Sequence, residues 1–245
     1  MWFGSIGSGV YSYDEKSFQH FTTQNGLINN EITCIYEDKA GTIWFGVNGG
    51  ASRYDGKSCR NYLISGESMI EDVTGKTIPD FTRPPNEVSS IIEDRSGRFW
   101  FATRGNTFVF DSKTFTVFAH DGKPFVNVRS IIENQKGNIW LGGPDGLWRY
   151  DGNTFTNFSE RFVGYIIEDS KGNIWTSSES KNGQGWALSR YDEKSLSNEK
   201  PDATEIINKP MIFGILEDDE GNIWFGADGV YRYNGNIITD FKSPE

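Results

Sequence analysis

The sequence predicts an all-β chain made of repeated four-stranded antiparallel sheets, on three observations. Tryptophan recurs six times in one context, at Trp2, Trp44, Trp100, Trp140, Trp175 and Trp224, with spacings of 42, 56, 40, 35 and 49. The mean period, about 44 residues, is that of a β-propeller blade. Aromatic residues make up 15% of the chain and glycine fills 28 positions, which suits short strands packed through rings and joined by tight turns. Each period also carries four strand signals, so the expected architecture is one domain, 1–245: a β-propeller of six blades of four antiparallel strands.

The strands are labelled A to D within each repeat. Strand A is the apolar run before an acidic pair, as in "EVSSIIED", and strand B is the "IWFG" segment. Strand C is "GLWRYDG" and its relatives, marked by Tyr13, Tyr54, Tyr150, Tyr191 and Tyr233, with Phe110 in the third unit. Strand D is the "TFTNF" type, with the pairs Phe18/Phe21, Phe115/Phe118 and Phe155/Phe158. Asp38, Asp94, Asn134, Asp169 and Asp218 each stand three residues before a glycine. An Asp or Asn bonding nearby backbone, followed by a glycine free to take positive φ, is a hairpin loop. The "YDG" and "YNG" segments read the same way between strands C and D. Recurrence in one turn of nearly every repeat makes these carboxylates scaffold rather than catalytic or calcium-binding groups.

The units fall at approximately 1–27, 28–85, 86–124, 125–160, 161–207 and 208–245. Trp2 belongs to a strand B, so the first blade lacks its inner strand within this chain, and a partner chain is one way to complete it. The stretch 63–85 explains the spacing of 56 and reads as an inserted hairpin or a decayed unit, with "SMIEDVTGKTI" echoing half a blade. "AHDGKPF" and "SLSNEKPDATEIINKP" read as D–A connections.

The pattern N-x-I-x-x-I-x-ED-x-x-G-x-IWFG, followed by G-x-x-RYDG and F-x-x-F, resembles the two-component regulator propeller repeat, and "NNEITCIYEDKAGTIWFG" is close to the family pattern. The resemblance covers almost the whole chain, in five good copies and one partial copy. It implies a ligand-reading, non-enzymatic role of the kind served by extracytoplasmic sensor propellers, several linked to glycan fragments, and hence a periplasmic or extracellular location. It does not extend to signalling, since no kinase region or membrane helix is visible in this sequence.

Antiparallel A to D strands put the A–B and C–D turns on one side and the B–C and D–A connections on the other. The first side is monotonous; the second is where the repeats disagree. Polar loops that vary on a rigid frame are where binding residues lie. Arg104 stands in a B–C loop where other units have small or acidic residues, with Asp145 in a neighbouring loop. Arg129 falls on strand A where the other units carry Thr33, Ser89, Gly164 and Phe213. An arginine there either faces a ligand, which it can clamp through a carboxylate or sulfate, or pairs with a nearby carboxylate. The fifth unit departs most, with Tyr165 on strand A and Glu179, Lys181, Asn182, Gln184 and Trp186 around a long loop. Aromatic faces beside polar groups suit a sugar, while Trp186 packing under its own loop is the competing reading.

Several classes are excluded or disfavoured. Thirty-four acidic against 24 basic residues give a net charge of −10 with no basic run, which argues against nucleic acid. No segment approaches the roughly 20 apolar residues of a membrane helix, and the N-terminus does not read as a signal peptide. Cys34 and Cys59 fall on the inner and outermost strands of one blade, about 14 Å apart, against a limit of about 7 Å for a disulfide. Only His20 and His120 are present, so no metal site and no cofactor is expected. A lyase or hydrolase built from His120, Tyr165 and Arg104 is the alternative function, since such groups carry no linear motif. A scaffold for protein partners is the other.

Overall fold

The computed structural model describes residues 1–75, 86–197 and 201–241. Among these the regular elements are β-strands and two single-turn 3-10 helices, Thr23–Asn25 and Glu193–Ser195. Among the described residues the strands form six sheets of three to five strands in chain order, each a meander whose neighbours are sequential and antiparallel, and one two-stranded hairpin. Two compact units divide them: Met1–Ile131 and Ile132–Glu245.

Sheet 1 has three strands, Trp2–Ser5, Gly9–Tyr13 and Phe18–Phe21, which are B, C and D of the repeat. Sheet 2 has five: Ile32–Glu37, Ile43–Val47, Gly50–Tyr54, Cys59–Ser65 and Ser68–Asp72. Sheet 3 comprises Val88–Glu93, Phe99–Thr103, Phe108–Phe110 and Phe115–Val117. Sheet 4 comprises Ser130–Glu133, Ile139–Gly143, Gly146–Tyr150 and Phe155–Ser159. Sheet 5 comprises Val163–Glu168, Ile174–Glu179, Trp186–Tyr191 and Thr204–Lys209. Sheet 6 comprises Phe213–Glu217, Ile223–Gly226, Val230–Tyr233 and Ile238–Asp240.

The structure refines the sequence reading at one place, where the hairpin alternative for 63–85 fits, and corrects it at two. The start of the 63–85 insertion is a fifth strand, Ser68–Asp72, hydrogen-bonded to a lengthened strand D through a turn at Gly66; residues 76–85 lie outside the described set. "TEIINK" is strand D of sheet 5, Thr204–Lys209, so the long connection in that repeat is C–D rather than D–A. Arg129 immediately precedes strand A of sheet 4, which runs Ser130–Glu133. "AHDGKPF" adds a feature of its own, a hairpin pairing Ala119–His120 with Lys123–Pro124.

Strand B organises the core because its successive side chains point to opposite faces. In sheet 2, Phe45 turns toward Trp2 of sheet 1, at 5.5 Å between ring centroids, while Trp44 turns toward Phe99 and Phe101 of sheet 3, at 4.9 and 5.4 Å. In the second unit, Trp140 packs with Val163 and Ile166 of sheet 5, and Trp175 with Ile215 of sheet 6 and with Ile212 just ahead of it. The two cysteines are free thiols. Burial pushes the Cys34 thiol up to about 12 and the Cys59 thiol up to about 11, so neither is a thiolate nucleophile or ligand at neutral pH.

Candidate functional site

The hydrogen bonds divide each acidic pair into two structural tasks. In sheet 2 the Asp38 Oδ1 accepts from the backbone N–H groups of Ala40 (3.0 Å) and Thr42 (2.8 Å), closing the A–B turn, while Oδ2 accepts from the buried Trp44 indole (3.1 Å). The indole bond repeats from Trp100 to Asp94 (2.9 Å), Trp175 to Asp169 (2.8 Å) and Trp224 to Asp218 (2.6 Å). For Asp38 and Asp94 burial works to raise the carboxyl pKa, but these donors outweigh it and the net shift is downward. At Asp218 the Trp224 indole and the Asn222 amide bring it down to about 2.

In three sheets the glutamate before the aspartate serves the preceding repeat. Glu93 accepts the Lys39 N–H (2.8 Å), Glu168 that of Gln135 (2.6 Å) and Glu217 that of Ser170 (2.6 Å), so strand A of each staples the turn of the sheet before it. The "RY" arginines of strand C sit over the tryptophan directly across the sheet: Arg53 on Trp44 (5.2 Å), Arg149 on Trp140 (5.9 Å), Arg190 on Trp175 and Arg232 on Trp224 (both 5.7 Å). Sheet 3 has Val109 opposite Trp100, and Arg98 covers that ring instead, at 5.5 Å. These charged groups are thereby occupied as scaffold.

On the loop side of the first unit, Arg104 is anchored to the residue ahead of its own strand A. Its Nε lies 2.6 Å from the Glu87 carboxylate, and its backbone N–H donates to the Glu87 carbonyl at 2.9 Å. Sheet 2 has a weaker version of this brace, Asn48 donating to Glu31 at 3.3 Å. Arg129 belongs to the same cluster. Burial lowers the pKa of its half-buried guanidinium, the Arg104 charge lowers it further, and Glu87 opposes both. Glu87 thus pairs with Arg104 and acts on Arg129 through its charge alone, so two guanidiniums stand against one carboxylate. The two segments are tied by Asn127 N–H to Gly105 carbonyl (2.9 Å) and by the Asn106–Val126 bridge. Glu87 was not singled out in the sequence. Its signal was the parallel between "NNEIT" and "NEVSS".

On the second unit, Glu179 and Trp186 face each other across the last rung of strands B and C of sheet 5. Between them the loop folds on itself: Ser180 N–H reaches the Gly185 carbonyl (3.1 Å), and the Ser180 hydroxyl reaches Asn182 Oδ1 (2.5 Å) and the Gln184 carbonyl (2.8 Å). A groove of about 410 Å³ results, lined by Arg161, Glu179, Ser180, Lys181, Trp186 and Pro210. Lys181 is committed elsewhere, its ammonium bonding Asp202 (2.6 Å) and the Ala203 carbonyl (2.7 Å). Trp186 packs on Gly164, where an added Cβ would stand 2.8 Å from the ring, and meets the edge of Phe162 at 5.5 Å. It remains half-buried, so the packing reading accounts for part of the ring and the groove for the rest. Arg161 and Pro210, which come from the D–A connections, were not anticipated.

The other expected residues lie apart from that groove. Tyr165 is 42% exposed on strand A, opposite Ser177. Asp145 is exposed in the B–C loop of sheet 4, its carbonyl accepting the Trp148 indole at 2.9 Å. His120 pairs with Lys123 across its hairpin and stands 3.6 Å from the Asp121 carboxylate. Among the described residues no group of three or more His, Cys, Asp or Glu could hold a metal ion, and no helix is long and apolar enough to cross a membrane.

The two component regulator propeller family matches the chain at residues 26–49, 82–105 and 206–229. No curated protein matches the sequence. Among solved structures, the chain is similar to the extracellular domain assigned to the hybrid two component system BT4673 of B. thetaiotaomicron, with 22% identity, a TM-score of 0.54, and coverage of 95% of this chain and 38% of that one. It is similar also to PorZ, a surface component of the type-IX secretion system of Porphyromonas gingivalis (15% identity, TM-score 0.67, 95% and 38% covered). A third is the virginiamycin B lyase of Staphylococcus aureus (18% identity, TM-score 0.60, 86% and 69% covered). The fold is therefore a β-propeller, three segments of which match the two component regulator propeller repeat, and the chain spans about two fifths of the length of the first two structures.

Proposed function

We propose that this chain of two component regulator propeller repeats is a non-enzymatic, ligand-reading domain that works outside the cytoplasm. Its ligand is a glycan fragment or another polar small molecule, seated in the Trp186 groove. The observation that carries the reading is the composition of that groove: a half-buried indole and a proline beside a guanidinium and a carboxylate, in about 410 Å³. Sugars present an apolar face between hydroxyl groups. A ring for stacking, with Glu179 to accept and Arg161 to donate, matches that pattern.

The test is a thermal-shift screen of the purified chain against neutral and acidic oligosaccharides, since a ligand that binds only the native state raises the melting temperature. At least one class should raise it by several degrees, and Trp186→Ala and Glu179→Ala should abolish that response. A panel without effect, or a response that both variants retain, overturns the assignment.

A further inference from the structure

The turn side of the propeller, expected to be plain scaffold, carries a cavity of about 500 Å³ in the first unit. One wall is Ser68–Glu71, from the fifth strand that sheet 2 alone has among the described residues, and it sets the Glu71 carboxylate on the cavity beside the basic groups. Met69 anchors that strand to the core at 3% exposure, with the neighbouring Ile70 52% exposed. The floor is aromatic: Tyr62 stacks on Trp44 at 5.4 Å and meets Phe110 and Phe115 at 6.0 and 5.5 Å. The opposite wall is the C–D turn of sheet 3, from Ser112 to Phe115.

Two residues on this cavity break the rule of the repeat, and both add polar groups to it. The strand-D residue opposite each strand-C arginine is threonine in three sheets, Thr156, Thr204 and Thr239. Val109 of sheet 3 also faces a threonine, Thr116. In sheet 2 that position is Arg60, directly opposite Arg53. Like charges placed opposite one another destabilise a sheet. Arg53 is compensated by Asp38 at 3.3 Å, while Arg60 makes no hydrogen bond or ion pair among the described residues. The second departure is Ser112. The corresponding position is Gly56, Gly152 and Gly235 in three other turns, all at positive φ, and Ser112 holds φ at 77°. Glu15 of sheet 1 is the other non-glycine residue there, at 73°. A side chain in that conformation is strained, and at Ser112 it sets a hydroxyl on the cavity wall beside Lys113.

From the juxtaposition of Arg53, Arg60, Lys113 and Ser112 with an aromatic floor, we infer a second binding site, separate from the Trp186 groove, for a small anion carried on a flat apolar body, such as an aryl sulfate or aryl carboxylate. The anion bridges the two guanidiniums and relieves their opposition. The apolar body lies against Tyr62, Phe110 and Ile70.

Calorimetric titration with phenyl sulfate, inorganic sulfate and phenol tests this. Phenyl sulfate should bind the native protein at least about tenfold more tightly than either fragment, because each fragment supplies only half of the recognition. Arg60→Thr restores the residue of the other repeats and therefore folds. It should weaken phenyl sulfate binding about tenfold or more while raising the melting temperature of the free protein. Ser112→Gly should weaken binding by a smaller factor, and Trp186→Ala should leave it unchanged, which separates this site from the groove. No binding to the native protein, equal binding of inorganic sulfate, or undiminished binding by Arg60→Thr would each overturn the inference.

Discussion

In the turn after strand A of sheet 3, one Asp94 oxygen accepts the N–H groups of Ser96 (2.9 Å) and Arg98 (3.0 Å), and the other accepts the Trp100 indole (2.9 Å) and the Arg98 guanidinium (2.8 Å). In sheet 4 the same turn is built on Asn134. Its amide oxygen accepts the N–H groups of Lys136 (3.2 Å) and Asn138 (2.8 Å), while the buried Trp140 indole nitrogen has no acceptor among the described residues. The backbones match, with Gly97 at φ 81° and Gly137 at 82°. Closing the hairpin thus takes one oxygen; the second oxygen of an aspartate holds the core tryptophan. An asparagine presents a donor there, and two donors cannot bond. Repeats of one fold can therefore keep the same turn while differing in how firmly the turn grips the core.

The harshest way to break this comparison is to give sheet 3 the chemistry of sheet 4. Asp94→Asn keeps the turn-closing oxygen but strips the Trp100 indole of its acceptor and leaves Arg98 beside a neutral group. A buried donor left unsatisfied costs about 1–3 kcal/mol, more where a charge is involved. The variant should lose about 2–3 kcal/mol in urea denaturation, with an unchanged slope. A loss under about 0.5 kcal/mol would show that the second oxygen contributes nothing beyond the turn.

The reverse exchange has a smaller expected effect and a pH signature. Asn134→Asp supplies the missing acceptor and should stabilise by about 1 kcal/mol at neutral pH. The aspartates already in this position at Asp38, Asp94 and Asp218 have carboxyl pKa values below the ordinary 3.8. A group whose folded pKa is depressed contributes fully above its unfolded pKa and loses that contribution as pH falls through the folded value. The gain from Asn134→Asp should therefore be complete at pH 6–7, decline below about pH 4 and vanish near pH 2. Melting temperatures of both proteins across that range measure it. A gain that persists at pH 2 would assign the stabilisation to something other than the carboxylate.

The strand order within a repeat was legible because turn residues and alternating aromatics are local signals: Gly41, Gly97, Gly137, Gly172 and Gly221 all take positive φ, as the D-x-x-G spacing required. Strand D of sheet 5 was missed because Ile206 and Ile207 stand where sheets 1, 3 and 4 carry phenylalanine pairs, and nothing local distinguishes that run from a connection. Ser68–Asp72 imitates a strand A in sequence, and only its pairing with Cys59–Ser65 identifies it as an edge strand. Arg104 and Arg129 were visible as breaks in the repeat, but Glu87, which pairs with Arg104, was hidden in a segment that looked regular. Arg60 escaped notice for a related reason: its contrast with Thr156, Thr204 and Thr239 exists only once cross-strand register is known.

The smallest effect concerns the other support of the same turns. Glu168 holds the Asn134 turn from outside, accepting the Gln135 N–H at 2.6 Å, as Glu93 holds the Asp38 turn through Lys39. In sheet 2 the turn is also gripped from inside by the Trp44 indole; in sheet 4 that grip is missing, so the outer staple carries more of the restraint. A hydrogen bond to a partly exposed carboxylate contributes about 0.5–1 kcal/mol. Glu168→Ala should then accelerate hydrogen exchange at the Gln135 amide roughly two- to fivefold, with a smaller change at Lys39 in the matching Glu93→Ala variant. If the two amides respond equally, the outer staple acts independently of the indole bond. Asp94→Asn and Asn134→Asp would then report on the tryptophan alone, and not on how tightly the turn is held.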